Sequence, residues 1–127
     1  MNVKNLQIVI DMLKSMPNRE IDLGQWVSPC GTVMCVCGEV AHRGLIPGFE
    51  LHNEFPQDGA SVRYNGMVSW AAVSEVFDIN VYDAKGLFCA YQYQSFFVNG
   101  DTVKASDIIE KLEDFINEKK SEKVIAF

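Results

Sequence analysis

The sequence predicts a mainly α fold: a compact bundle of four to five helices, with one short β-hairpin as an optional addition. Two observations lead to this prediction. Apolar residues recur at helical spacing in several separate segments, and capping residues, glycine or proline bound those segments. With 127 residues, 48% of them hydrophobic, the chain is long enough to bury its own core. We therefore expect one domain over residues 1–127, with a core at about 2–120 and a charged and apolar tail at 121–127.

The N-terminal segment predicts the first helix, over residues 2–16. Its apolar residues fall on one stripe at helical spacing: Val3, Leu6, Val9, Ile10, Leu13 and Met16. Pro17 ends the helix, because proline disfavours helical geometry in the residue before it. Residues 18–27 read as a connector that includes one short helical turn at 22–26.

A second helix is predicted to begin at one of two N-cap residues. Ser28 precedes a proline, which is favoured at the first helical position, and Thr32 is the alternative. Gly44 suits the C-terminal end of this helix. The expected buried stripe comprises Val33, Val36, Cys37, Val40 and Ala41, and the opposite face comprises Cys35, Glu39 and His42.

The middle of the chain is less regular. Residues 45–66 are rich in glycine and proline and predict a long loop, with residues 61–64 as a short strand inside it. Residues 67–77 are apolar nearly all round and predict a central helix.

Residues 82–98 allow two interpretations. Residues 82–90 fit a short helix, whereas residues 87–98 alternate as a strand would. Residues 96–103 also fit a small hairpin that turns at Asn99-Gly100. The last helix is predicted over residues 106–120, with Ser106 as its N-cap.

Composition restricts the function. The net charge of −6 disfavours direct binding to nucleic acid, because a phosphate backbone repels an acidic chain. The uncharged runs are too short and too polar to cross a membrane, and no secretory signal is visible. We therefore expect a cytoplasmic protein whose four cysteines are reduced thiols.

Three cysteines lie close together and raise the question of thiol chemistry. Cys30 or Cys35 would fall in the first turn of the second helix, where the helix dipole lowers a thiol pKa. Burial as a small apolar side chain is the more frequent role of a free cysteine. Glu39 and His42 lie one turn apart on the same face and are interpreted as a surface pair.

Two enzyme or metal classes fit poorly. A papain-like protease needs a histidine far downstream of its cysteine, and both histidines, His42 and His52, lie near the cysteines. A zinc site needs converging ligands, but Cys35 and Cys37 on one helix would point about 200° apart. We predict no metal and no cofactor.

One motif resembles a pattern in small proteins of bacteriophages and bacteria. These proteins carry a tryptophan, then Cys-Gly-Thr-x-x-Cys-x-x-Gly, then a helix near the middle and a final amphipathic helix. The positions that match here are Trp26, Cys30, Gly31, Thr32, Cys35 and Gly38. The resemblance implies a phage or bacterial origin, a compact and mainly helical domain and a cytoplasmic site of action. It implies no reaction.

We therefore predict a non-catalytic binding module that engages a host or phage macromolecule, for example in host takeover or counter-defence. The predicted contact residues are the aromatic side chains Tyr91, Tyr93, Phe96 and Phe97. One alternative is a small thiol enzyme or redox factor that uses Cys30 or Cys35. Another is a binder of a nucleotide-like ligand near Arg43 and Arg63. A homodimer is a further option for the assembly.

Overall fold

A computed structural model of the protein describes residues 1–16, 20–22, 35–52, 61–88 and 102–125. The described part confirms the mainly α prediction and adds short antiparallel strands. Its helices are α1 (Val3–Ser15), α2 (Val36–His42), α3 (Ser69–Phe77), α4 (Val81–Phe88) and α5 (Ala105–Ile125). Its strands are β1 (Glu20–Asp22), β2 (Glu50–His52), β3 (Ser61–Tyr64), β4 (Met67–Val68) and β5 (Thr102–Lys104).

Helix α1 forms as predicted and is fixed at both its N-terminus and its buried face. The Asn2 side chain caps it by accepting a hydrogen bond from the Asn5 backbone N–H at 3.0 Å. The Asn5 side-chain amide donates to the carbonyl of Val76 at 2.8 Å, inside the protein. This buried bond ties α1 to α3 and satisfies a polar group that water cannot reach.

Residues 18–27 were predicted as a connector with one short helical turn at 22–26, and the structure corrects this at residues 20–22, whereas residues 23–26 of the turn lie outside the described residues. Residues Glu20–Asp22 form strand β1, which pairs antiparallel with β5 so that Ile21 lies opposite Val103. A strand of three residues is too short to show a periodic pattern, and its partner is about 80 residues away in the sequence. The hairpin turn proposed at residues 99–100 lies outside the described residues.

The predicted strand at residues 61–64 is confirmed as the central strand of a three-stranded antiparallel sheet, in the order β2-β3-β4. Asn65 and Gly66 both have positive φ angles, 53° and 79°, and they join β3 to β4 in a tight turn. Met67 and Val68 therefore belong to a strand and not to the predicted helix, which begins at Ser69.

The two interpretations of the segment after α3 are resolved up to residue 88. Residues Val81–Phe88 form α4, so the helical interpretation is correct there, and residues 89–98 lie outside the description. The last helix starts at Ala105, which places Ser106 inside the helix and not at its N-cap. It continues five residues beyond the predicted end, to Ile125.

Helix α3 lies at the centre of the packing. It contacts α1, α4, β3 and β4, while α5 packs mainly along α1. Phe77, at the end of α3, stacks on Phe88 with ring centroids 5.4 Å apart and meets Phe49 edge-on at 6.3 Å. Among the described residues, no helix is both long enough and apolar enough to cross a bilayer.

Candidate functional site: the α4–α5 groove

The structure places the cysteines of α2 in the core. The helix begins at Val36, and Cys35 is its N-cap, where its sulfur accepts a hydrogen bond from the backbone N–H of Gly38 at 3.4 Å. The N-cap of α2 is therefore neither Ser28 nor Thr32. Only 4% of Cys35 is exposed, so its predicted position on the outer face is wrong. A residue that caps a helix does not follow the angular spacing of the helix itself.

Cys37 is completely buried, with 0% of its surface exposed. Burial raises the pKa of the Cys37 thiol well above its ordinary value, and the neighbouring Cys35 raises it further. The thiolate is the reactive form of cysteine, so a raised pKa keeps this side chain inert near neutral pH. The predicted buried stripe of α2 is confirmed for Val36, Cys37, Val40 and Ala41. Residue 33 lies outside the description.

The exposed face of α2 carries an ordinary surface ion pair. Arg43 donates through Nε to the Glu39 carboxylate at 2.8 Å, one turn away along the helix. His42 is exposed beside this pair. Arg63 lies on β3 and pairs with Glu50, its cross-strand neighbour on β2, at 3.0 Å. Both arginines that were candidates for ligand binding thus hold carboxylates of the protein itself.

The remaining predicted site residues lie outside the part of the chain that the structure describes. They are Trp26, Cys30, Gly31 and Thr32 of the motif, and the aromatic residues Tyr91, Tyr93, Phe96 and Phe97. Gly38 of the motif is described, and it is buried in the first turn of α2.

A groove between α4 and α5 is the clearest concave site among the described residues. Its volume is about 570 Å³, and it is open to solvent along one side. Leu87 and Phe115 provide its apolar floor. Gly86 also lines the groove, and because glycine has no side chain it leaves the space above this floor open. A β-carbon added at Gly86 would meet no atom within 4 Å, so this space is free of the protein's own described side chains.

The two walls of the groove are regular helical stripes. Helix α5 contributes Lys111, Asp114, Phe115 and Glu118, which have the i, i+3, i+4, i+7 spacing of one helix face. This stripe is about 10 Å long, from the rise of 1.5 Å per helical residue. The opposite wall, from α4, carries Tyr82, Asp83 and Lys85.

An ion pair beside the groove joins the two helices. Lys119 of α5 lies 3.7 Å from the Asp83 carboxylate of α4 and 5.5 Å from the centre of the Phe115 ring. Partial burial lowers the pKa of the Lys111 ammonium, which indicates that this wall is partly shielded from water.

The rim of the groove remains highly exposed. Tyr82 has 86% of its surface exposed, the largest exposure among the described large hydrophobic side chains. Asp114 and Glu118 are exposed and lie one turn apart on α5. Within the described residues neither carboxylate takes part in an ion pair, and two like charges at this spacing repel each other.

The groove was missed in the sequence because it depends on α4 and α5 lying side by side. The spacing of Lys111, Asp114, Phe115 and Glu118 was visible, but a partly polar stripe on a helix usually faces water. Arg43 and Arg63, near which a ligand pocket was expected, lie on other elements and do not line this groove. No cluster of three or more metal-ligating side chains occurs among the described residues.

No protein-family model, curated protein or solved structure matches this chain. The resemblance to small phage and bacterial proteins therefore stays a prediction.

Proposed function

We propose that this protein is a non-catalytic binding module, a phage or bacterial accessory protein that engages a host or phage protein through the α4–α5 groove. The observation that carries the proposal is the combination of an open groove of about 570 Å³ with a strongly exposed tyrosine at its rim. Aromatic side chains at a surface are typical anchors of protein interfaces.

The chemistry of the floor supports binding by burial of apolar surface. Leu87 and Phe115 form an apolar floor, and Gly86 leaves room for an incoming side chain above it. A group that enters there would remove apolar area from water without displacing the protein's own atoms. The charged rim would then fix the orientation of the partner.

A protein partner suits this groove better than a small molecule. A small-molecule site usually encloses most of its ligand, whereas this groove is partly open to solvent. Tyr82 extends the contact area beyond the groove itself.

The thiol alternative is supported less well by the described cysteines. Cys35 and Cys37 are buried, and the raised pKa of Cys37 opposes nucleophilic chemistry. Of the two candidate thiols, Cys35 is buried and Cys30 lies outside the described residues. The thiol alternative therefore depends on Cys30.

Site-specific photo-crosslinking tests the proposal. A photoreactive phenylalanine analogue replaces Tyr82 in one variant and Glu75, an exposed residue of α3, in a matched control. After expression in a bacterial host, we expect a discrete crosslinked protein with the Tyr82 probe and none with the Glu75 probe.

The crosslink should disappear when Gly86 is also replaced by tryptophan, because the indole would fill the groove. Identical crosslinks from both probes, or a Tyr82 crosslink that persists in the Gly86→Trp background, would contradict the proposal. Circular dichroism checks that each variant remains folded.

A further inference from the structure

The arrangement of charge around the groove identifies the kind of segment that it accepts. We propose that the groove binds an amphipathic α-helix of the partner, whose basic flank lies along α5 and whose apolar ridge sits on Leu87 and Phe115. This inference rests on the proposed function, because it names the chemistry of the partner at the same site.

The walls explain why the bound segment is helical. Both walls are helix surfaces, and their polar groups are side chains and not the free backbone edge of a strand. An extended peptide would bury backbone N–H and C=O groups that find no ladder to join. A helix satisfies its own backbone and presents side chains at a spacing of one turn.

The carboxylates on α5 explain the basic flank. Asp114 and Glu118 lie one turn apart and have no ion-pair partner within the described residues. A lysine or arginine placed between them would remove their mutual repulsion and make two charge-assisted contacts. Residues one turn apart on a partner helix match this spacing.

The remaining charges of the groove determine the chemistry of the partner helix on its other flank, which faces α4. Asp83 is already bridged to Lys119, and Lys111 makes an interaction of its own. Lys85 is exposed on the α4 wall and takes part in no ion pair within the described part. The flank of the partner that faces α4 should therefore be neutral or acidic, which fixes the direction in which the helix docks.

A charge-swap experiment tests this inference with two synthetic helical peptides. Both have about 16 residues and a leucine ridge, a length at which designed helices begin to form in water. One carries lysines on one flank, and the other carries glutamates at the same positions. Fluorescence anisotropy measures their binding to the full chain and to the variant Asp114→Lys/Glu118→Lys.

We expect the wild-type chain to prefer the basic peptide by about tenfold, which corresponds to two rim ion pairs of about 0.7 kcal/mol each. The double variant should reverse this preference. The matched control, Asp11→Lys/Glu75→Lys, changes the net charge equally at exposed positions on α1 and α3, outside the groove, and should keep the wild-type preference. The Gly86→Trp variant should lose both peptides.

Four results would overturn the inference. The first is equal binding of the two peptides, and the second is an equal shift in the control variant, which would indicate long-range charge. The third is self-association of the wild-type chain that disappears in the Asp114→Lys/Glu118→Lys variant. This result would mean that a second copy of the chain occupies the groove. If neither peptide binds but the Tyr82 crosslink persists, the inference fails while the proposed function stands.

Discussion

The cysteine end of α2 and the groove between α4 and α5 contrast in almost every physical respect. Cys35 and Cys37 are buried, and burial raises the pKa of the Cys37 thiol. Tyr82 and the carboxylates of Asp114 and Glu118 are exposed around an open cavity. The first region is closed to reagents, and the second is open to them.

The contrast shows that cysteines that are conspicuous in a sequence can have a structural role in the core. The cysteine motif has an unusual composition, but its described members fill the core and cap a helix. The groove is made of common residues, and only the packing of two helices makes it a cavity. Four predictions test the contrast, in order of decreasing effect.

The largest difference in stability is expected when a carboxylate is introduced at Cys37 and, for comparison, at Tyr82. Cys37→Asp should destabilise the fold by at least about 4 kcal/mol, because a carboxylate would be buried without a partner. Tyr82→Asp should change stability by no more than about 0.5 kcal/mol, because that position is exposed. Urea denaturation measures both, and similar values for the two variants would remove the contrast.

The pH dependence of stability tests the buried thiol directly. The pKa of Cys37 is raised in the folded protein, so above pH 9 the unfolded chain loses this proton while the folded chain keeps it. The contribution of the Cys37 thiol to stability is fully present below that pH. Above it, the free energy of unfolding falls as the pH rises, by at most about 1.4 kcal/mol per pH unit. The variant Cys37→Ala should show a shallower fall between pH 9 and the raised pKa. Equal slopes would indicate an accessible thiol.

Two glycines with open surroundings should respond in opposite directions to alanine. Gly86 lies inside α4, and Gly86→Ala should stabilise the protein by about 0.5–1 kcal/mol through helix propensity. Gly44 has φ +65° at the end of α2, so Gly44→Ala should destabilise it by about 1 kcal/mol. Thermal denaturation distinguishes the signs. A destabilising Gly86→Ala would mean that the groove floor is already filled.

The smallest effect is expected at the surface of α2. Arg43→Ala removes the pair with Glu39, a helix pair of a kind that contributes about 0.3–0.5 kcal/mol. The variant should keep its stability within about 0.5 kcal/mol and should still crosslink through Tyr82. If the crosslink were lost without a loss of stability, the partner would contact α2 and not the groove alone.

The sequence predicted the long helices and strand β3 well, and the other short strands poorly. Helix α1 and the core stripe of α5 have enough turns for the apolar period to be clear. Strands β1 and β5 have three residues each and pair across a long stretch of sequence, so neither leaves a local pattern. Residues 67–68 were assigned to a helix because they are apolar and directly precede the apolar residues of α3. Nothing in the sequence separates this two-residue strand from the helix.

The site was predictable only in part, for a related reason. The burial of Cys37 followed from its place on the apolar stripe, whereas the burial of Cys35 depended on where α2 begins. The groove required the relative position of α4 and α5, which no local pattern contains. Its exposed tyrosine was inconspicuous because tyrosine is common both in cores and at surfaces.

One comparison tests the central claim most directly: quantitative capture of partner proteins by the wild-type chain, by Gly86→Trp and by Cys35→Ala/Cys37→Ala. The groove account predicts that Gly86→Trp loses the captured protein while the cysteine variant, once shown to be folded, retains it. If instead Gly86→Trp retained the partner and the folded cysteine variant lost it, the site of action would lie at the cysteines and the account would be contradicted.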